Sequence, residues 1–377
     1  MLEKCRRDQW RIDDLDWTQK PRELSRDDEE AIVQYFTDMA GIERLAGALF
    51  EEQRRRATDP RLAKIFSTFV VDEERHAKAA ERLAAFYDVH RYKTYRMNEN
   101  LARFTPHFLA AVRHLSDEIA NAYVTGGELI LDVALLRSLN DYVHDPMSEQ
   151  AMELINRDES RHIAIDFYMT SLYASDAYVE AAAHRPPEPL KKRLYAAWTI
   201  ANVIYYAAPF FRDVFFQPME RVDPTGRRMR EAFKRIQLIS AKPGVARRPF
   251  GKFMQGLSDL FNHPIAGRLF GNVLARLAGV DARFMKRMYT EEEFARASTL
   301  SWDALADEAL AAKYALPRPA LTRAAGPACA LSWRATPKQR SGRRRGPPGA
   351  RFGRGPPPSA VLEARAARRT RAASCRA

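Results

Sequence analysis

The chain has 377 residues, 46% of them hydrophobic, enough to bury a large core, and three cysteines that form neither a disulfide framework nor a zinc motif. Its net charge of +13 suggests a nucleic-acid or anionic-membrane partner, yet residues 316–377 hold fifteen Lys or Arg against Glu363 alone. The basic balance therefore belongs to this tail, the first 315 residues are close to neutral, and no specific nucleic-acid partner is expected.

Residues 1–25 are polar with Trp10 and Trp17 interspersed, and read as an arm packed on the body. Their many charges leave no apolar stretch of the kind a secretory signal needs, which with the cysteine usage points to the reducing cytoplasm. Ser25 followed by Asp28 is a capping pair that starts a first helix, to about Ala57. Its buried stripe is Ile32, Phe36, Met39, Glu43, Ala46, Gly47 and Phe50, so one carboxylate interrupts an apolar face. Asp59-Pro60 opens a second helix over about 60–89. Thr105-Pro106 opens a long helix to about Val143, bent near Gly126-Gly127, and Asp145-Pro146 opens a fourth to about Tyr173.

Beyond Ala174 the pattern stays helical, with an aromatic helix over 190–217 and amphipathic stretches near 225–240, 248–277, 280–288 and 290–313. The apolar run Leu194 to Phe216 contains Asn202, Pro209, Arg212 and Asp213, and so reads as a buried helix, not a membrane span. Its rings (Trp198, Tyr205, Tyr206, Phe210, Phe211, Phe215, Phe216) are expected in the core or at a homodimer contact, the wall of a substrate channel being the other reading. After about Leu316 the composition turns to Arg, Pro, Gly and Ala without periodicity, so the tail is expected to be disordered.

The second helix carries Asp72-Glu73-Glu74-Arg75-His76, and the fourth repeats it as Asp158-Glu159-Ser160-Arg161-His162. A Glu and a His three residues apart share one helix face and can direct an oxygen and a nitrogen at one metal. Adding 86 to Asp59, Pro60, Glu73, His76 and Tyr87 lands on Asp145, Pro146, Glu159, His162 and Tyr173, which marks an internal repeat of two helical hairpins. Folding each hairpin at its loop brings Glu43 level with the first pair and Glu128 level with the second. Four bare carboxylates in one interior would repel each other strongly, and two divalent metals offset that charge. Oxygen and nitrogen donors without thiolate favour iron or manganese. Glu51, Glu52 and Asp132 are read as exposed helix charges, and Asp141 with His144 as a capping or surface contact at a helix end. Gly47, one turn beyond Glu43, serves either close helix packing or room beside the metals.

On these residues, over roughly 26–173, the sequence resembles the ferritin-like di-iron carboxylate superfamily. The resemblance implies an all-α chain: a ferritin-like four-helix bundle with a long crossover over 26–174, a helical C-terminal extension over 175–315, and the tail. It implies two iron ions, or a manganese-iron pair, with Glu43 and Glu128 as single-helix ligands, Glu73 and Glu159 bridging, and His76 and His162 on one metal each. Asp72 and Asp158 would orient an imidazole, and Arg75 and Arg161 would neutralise those aspartates. Arg directly before His in both copies looks more like the bacterial multicomponent monooxygenases and acyl-carrier-protein desaturases than like bacterioferritin. Ile155 stands where the p-aminobenzoate N-oxygenase family has a further histidine, so N-oxygenation gains no support. The implied activity is a cytoplasmic oxidoreductase that activates dioxygen to hydroxylate or desaturate an apolar organic substrate, supplied by an electron-donor protein. A ferroxidase, or a bundle whose metals are only structural, is the alternative.

Overall fold

The computed structural model describes residues 1–271, 273 and 282–315, and every regular element among them is helical, with no strand. The tail beginning at 316 lies outside the described residues.

The arm contributes a short helix α1 (Leu2–Arg7) and a 3-10 turn (Ile12–Asp14), and buries Cys5, Trp10 and Leu15 against the body. Helix α2 (Arg26–Arg56) starts where the Ser25 hydroxyl accepts the Asp28 amide at 3.3 Å and donates to the Asp28 carboxylate at 2.7 Å. Acids in its first turn and Arg54, Arg55 and Arg56 in its last complement the helix dipole. Helix α3 (Pro60–Tyr87) takes Asp59 as N-cap and Pro60 at its first position, where the missing N–H is one no carbonyl needs.

The single long helix expected from Thr105 is two. Helix α4 (Glu99–His114) starts about two turns earlier, at the Asn98 cap, carries Pro106 inside it, and ends at Leu115. Ser116 then caps α5 (Asp117–Leu129), with acids at its first two positions. Gly126 and Gly127 lie in regular helix, and the irregularity comes just after Glu128, as a π-helical segment Ile130–Leu136 that leads into α6 (Arg137–Val143). Helix α7 (Pro146–Tyr173) repeats the Asp-Pro start, the Asp145 side chain accepting the Met147 amide at 2.9 Å.

Helix α2 packs on α3 and α5, and α7 packs on the same two, which closes a ring of four helices. Around this ring lie α8 (Asp176–Ala183), α9 (Leu190–Phe210) with its π-helical continuation Phe211–Phe216, and α10 (Gln217–Val222). There follow α11 (Arg227–Ile239), α12 (Pro243–Ala246), α13 (Pro249–Asn262), a π-turn Gly267–Gly271, α14 (Ala282–Met285), α15 (Glu291–Thr299) and α16 (Trp302–Ala315). Both α11 and α16 pack on the π-helical segment after α5, and α16 packs on α7 as well.

The run Leu194 to Phe216 is not buried along its length: Leu194, Tyr195, Trp198, Ile204 and Tyr205 are exposed. Only one face meets the protein, with Phe210 stacked on Phe104 at 4.3 Å and Tyr206 on His107 at 4.6 Å. Among the described residues the helix long and apolar enough to cross a membrane is instead Asp117–Val143, and 72% of its apolar window is buried inside the protein. Three charges read as surface features are also buried. Glu52 pairs with Arg55 at 2.9 Å and Arg113 at 2.7 Å, Asp141 pairs with the buried Arg228 of α11, and Asp132 takes Lys313 from α16 at 3.1 Å. Glu51 remains half-exposed, bound to Arg54 and Arg55.

Candidate metal centre

The ring places Glu43 from α2, Glu73 and His76 from α3, Glu128 from α5, and Glu159 and His162 from α7 in one interior, each no more than 4% exposed. Their donor atoms fall into two groups, each within 4.8 Å: Glu43, Glu73, His76 and Glu159, and Glu73, Glu128, Glu159 and His162. Glu73 and Glu159 belong to both. His76 Nδ1 stands 3.0 Å from Glu159 Oε1 and 3.6 Å from Glu73 Oε2; His162 Nδ1 stands 3.0 Å from Glu73 Oε1 and 3.2 Å from Glu159 Oε2.

Most of these atoms converge without hydrogen-bonding one another. Both oxygens of Glu43 and of Glu73, Glu159 Oε1, Glu128 Oε2 and His76 Nδ1 are buried with no hydrogen-bond partner. Leaving so many polar atoms unsatisfied would cost on the order of 1–3 kcal/mol each, which a shared cation removes. Burial pushes the Glu43 carboxyl well above the usual range, and Glu73 and Glu159 push it further. Burial does the same to Glu128, with Glu159 and Glu73 adding to it. For Glu159, burial acts upward but His162 and His76 outweigh it and hold the carboxylate well below its usual range. Without a metal only the two imidazoles, both shifted toward their charged form by the surrounding carboxylates, offset four glutamates, and three carboxylates with one imidazole per group suit a divalent iron or manganese ion.

The outer contacts cross between the two repeats. Asp158 Oδ2 lies 3.2 Å from His76 Nε2, and Asp72 Oδ2 lies 3.5 Å from His162 Nε2, so each aspartate meets the histidine of the other helix, not the one a turn along its own. At His76 the Asp158 carboxylate can hold the proton on Nε2 and leave the Nδ1 lone pair for a metal, whereas His162 Nε2 makes no hydrogen bond and its Nδ1 meets Glu159. Arg75 Nη1 bridges Asp72 at 3.0 Å and Asp158 at 3.2 Å; Arg161 Nη2 bridges Asp158 at 2.6 Å and Asp72 at 3.3 Å. Against burial, which acts upward, His162, His76 and Arg75 bring Asp72 down to about 2. The arm closes the layer: Trp10 Nε1 donates to Asp158 at 2.8 Å and Gln9 Nε2 to Asp72 at 3.0 Å.

Gly47 is explained by packing. A Cβ there would stand 3.1 Å from Glu73 Cβ, so the glycine lets α3 carry a ligand close to α2 and leaves no vacant room. Sequence reasoning missed Asp166, one turn beyond His162, fully buried with neither oxygen hydrogen-bonded. Its spacing of four from His162 was the available signal. Ile155 is buried and supplies no donor. No family model, curated protein or solved structure matches the chain.

Proposed function

We propose that this chain is a ferritin-like di-iron carboxylate oxidoreductase, its ring of four helices being the bundle of that superfamily and residues 175–315 a helical extension around it. The observation that carries the reading is the sharing of Glu73 and Glu159 between two donor groups, which is how two metals are bridged. Glu43 with His76 would hold one ion and Glu128 with His162 the other. Two irons, or manganese with iron, would supply the reduction of dioxygen needed to hydroxylate or desaturate an organic substrate, with electrons from a donor protein of the cytoplasm.

The chain's own residues set the conditions for that chemistry. Asp158 orients the His76 imidazole and Asp72 lies beside that of His162, and the two histidines, with Arg75 and Arg161, keep both aspartates ionised. Phe69 and Phe50 pack on His162, with ring centres at 4.1 and 5.0 Å, and exclude water from that side.

Anaerobic titration of the full chain with ferrous iron in two buffers of different ionisation heat tests the reading. Burial, with Glu73 and Glu159, favours the protonated form of Glu43 and Glu128 in the absence of metal, so binding is expected to release protons and to tighten as pH rises. About two irons per chain, magnetically coupled and bound with proton release, are expected. Fewer than one iron per chain, or binding without proton release, overturns the reading; many irons per chain with a mineral core would make it a storage protein.

A further inference from the structure

A cavity of about 430 Å³ opens between α2, the π-helical segment after α5, and the π-helical segment that joins α9 to α10. Leu135 belongs to the first of these segments, and Asp213 and Val214 to the second. A π-turn widens a helix by one residue and displaces side chains from the α-helical rows, and two of them border one cavity here. The third wall is a stripe of α2 that runs from Asp27 through Tyr35, Asp38 and Met39 to Ile42, the neighbour of Glu43. The volume falls in the range of small-molecule sites.

Met39 and Ile42, nearest the metal ligand, are apolar, Asp27 and Glu30 lie toward the other end of the stripe, and Asp38 sits beside Met39; Asp213 in the opposite wall is already held by Asn100 and Arg212. The two cations of the wall are already engaged: Lys93 with Glu30 at 3.2 Å, and Arg221 with Asp28 at 2.8 Å. Asp38 is buried, accepts from Gln34 at 3.0 Å and from the Asn98 amide, and is pushed up to about 6 by burial. A cation beside it would relieve that cost. Tyr35 also lines the cavity, and its hydroxyl is buried without a hydrogen-bond partner, though such a group is nearly always paired.

We propose that this cavity binds the substrate of the metal centre, an apolar molecule bearing an amine, with its ammonium on Asp38, a hydrogen bond to Tyr35, and its apolar end toward Glu43. The inference rests on the reading of the centre as an oxidative site. Asp38 and Glu43 are five residues apart on one helix, roughly 7–8 Å along its axis and about 140° around it, so the group that reaches the metals is a carbon well removed from the nitrogen.

The test is calorimetric binding of n-octylamine, n-octanol and n-octanoate to the iron-loaded full chain. Octylamine is expected to bind at least about tenfold more tightly than octanoate, the lower end of what a charge-assisted hydrogen bond supplies. Asp38→Asn keeps the side chain's shape and one acceptor, for the Asn98 amide or for Gln34 but not for both, and should erase the preference. Tyr35→Phe removes a hydroxyl that has no partner in the folded chain, so it should fold as well as the parent and bind octylamine several-fold more weakly. Equal binding of the three probes, or a preference that survives Asp38→Asn, overturns the proposal even if two irons are bound. An amine preference in a chain that binds no iron would overturn the oxidative reading and with it the assignment of the amine as substrate.

Discussion

From Glu43 the chain runs 16 residues to the N-cap Asp59 of α3, and from Glu128 it runs 17 to the N-cap Asp145 of α7, yet both glutamates reach one cluster. The π-helical segment Ile130–Leu136 absorbs the extra residue, because a π-turn holds one residue more than an α-turn and leaves the helix beyond it in phase. The surroundings differ further. Four residues beyond Glu43 stands Gly47, filled by Glu73; four beyond Glu128 stands Asp132, buried and bound to Lys313 from α16. Four beyond His76 stands Ala80, and four beyond His162 stands Asp166, both fully buried. The repeat thus carries the candidate ligands, while only the second hairpin adds buried acids one turn beyond them and relies on the extension to balance one of these.

The largest effect is expected where the hairpins are equivalent. Because Glu73 and Glu159 belong to both donor groups, His76→Ala and His162→Ala should each disturb both metals, and elemental analysis should find well under two per chain in either variant. One fully occupied, spectroscopically unaltered ion in each variant would show that the hairpins bind metal independently, and two in either would remove that histidine from the site.

The next effect is expected only in the second hairpin. Lys313 contacts both oxygens of Asp132 at 3.1 Å, and Lys313→Met would leave the carboxylate buried without its cation, at about 3–5 kcal/mol. Adding Asp132→Leu should recover most of this, since a buried pair replaced by apolar groups is close to neutral. Urea unfolding of the single and double variants measures both, and a single variant within about 1 kcal/mol of the parent would mean that the pair is not a support of the second hairpin.

A smaller effect is expected from Gly47, in the first hairpin. Gly47→Ala needs a shift of a few tenths of an ångström at Glu73 Cβ, whereas Gly47→Phe cannot be placed without moving that ligand. The phenylalanine variant should lose about 1–3 kcal/mol and bind less metal, and the alanine variant should stay near the parent in both. Full metal content in Gly47→Phe would show open space where the structure has Glu73.

What could be read from sequence follows from how local each signal is. The ligands lie on a five-residue pattern and its repeat, and reflection at the Asp-Pro loops reaches Glu43 and Glu128 to within the one residue that the π-segment absorbs. The break between α4 and α5 was also signalled, by Ser116-Asp117-Glu118, but apolar periodicity continuing across it hid the cap. Burial of Asp132 and Asp141 was not legible, because their partners Lys313 and Arg228 lie 181 and 87 residues away and nothing nearby marks them. The crossed Asp72–His162 and Asp158–His76 contacts depend on how α3 faces α7, which spacing within one helix cannot give. The exposed face of α9 was misread for a related reason: an apolar run sets how much surface wants cover, and only tertiary packing decides how much receives it.

The smallest expected effect concerns where the extension's support ends. Lys313 and the buried face of α16 (Leu305, Ala306, Ala309, Ala312) hold α7 and the π-segment, and no composition signal beyond Leu316 favours a packed core. Deleting residues 316–377 removes fifteen Lys or Arg but leaves every one of these contacts, so melting temperature, helix content and metal content should match the parent. Deleting from residue 301 onward removes α16 as well and should be at least as severe as Lys313→Met, because it strands Asp132 and uncovers apolar surface. A clear fall in melting temperature for the shorter deletion would move the boundary of support past Ala315. Equal stability of both truncations would instead detach the second hairpin from the extension, and the contrast between Gly47 and Asp132 would then be one of local packing alone.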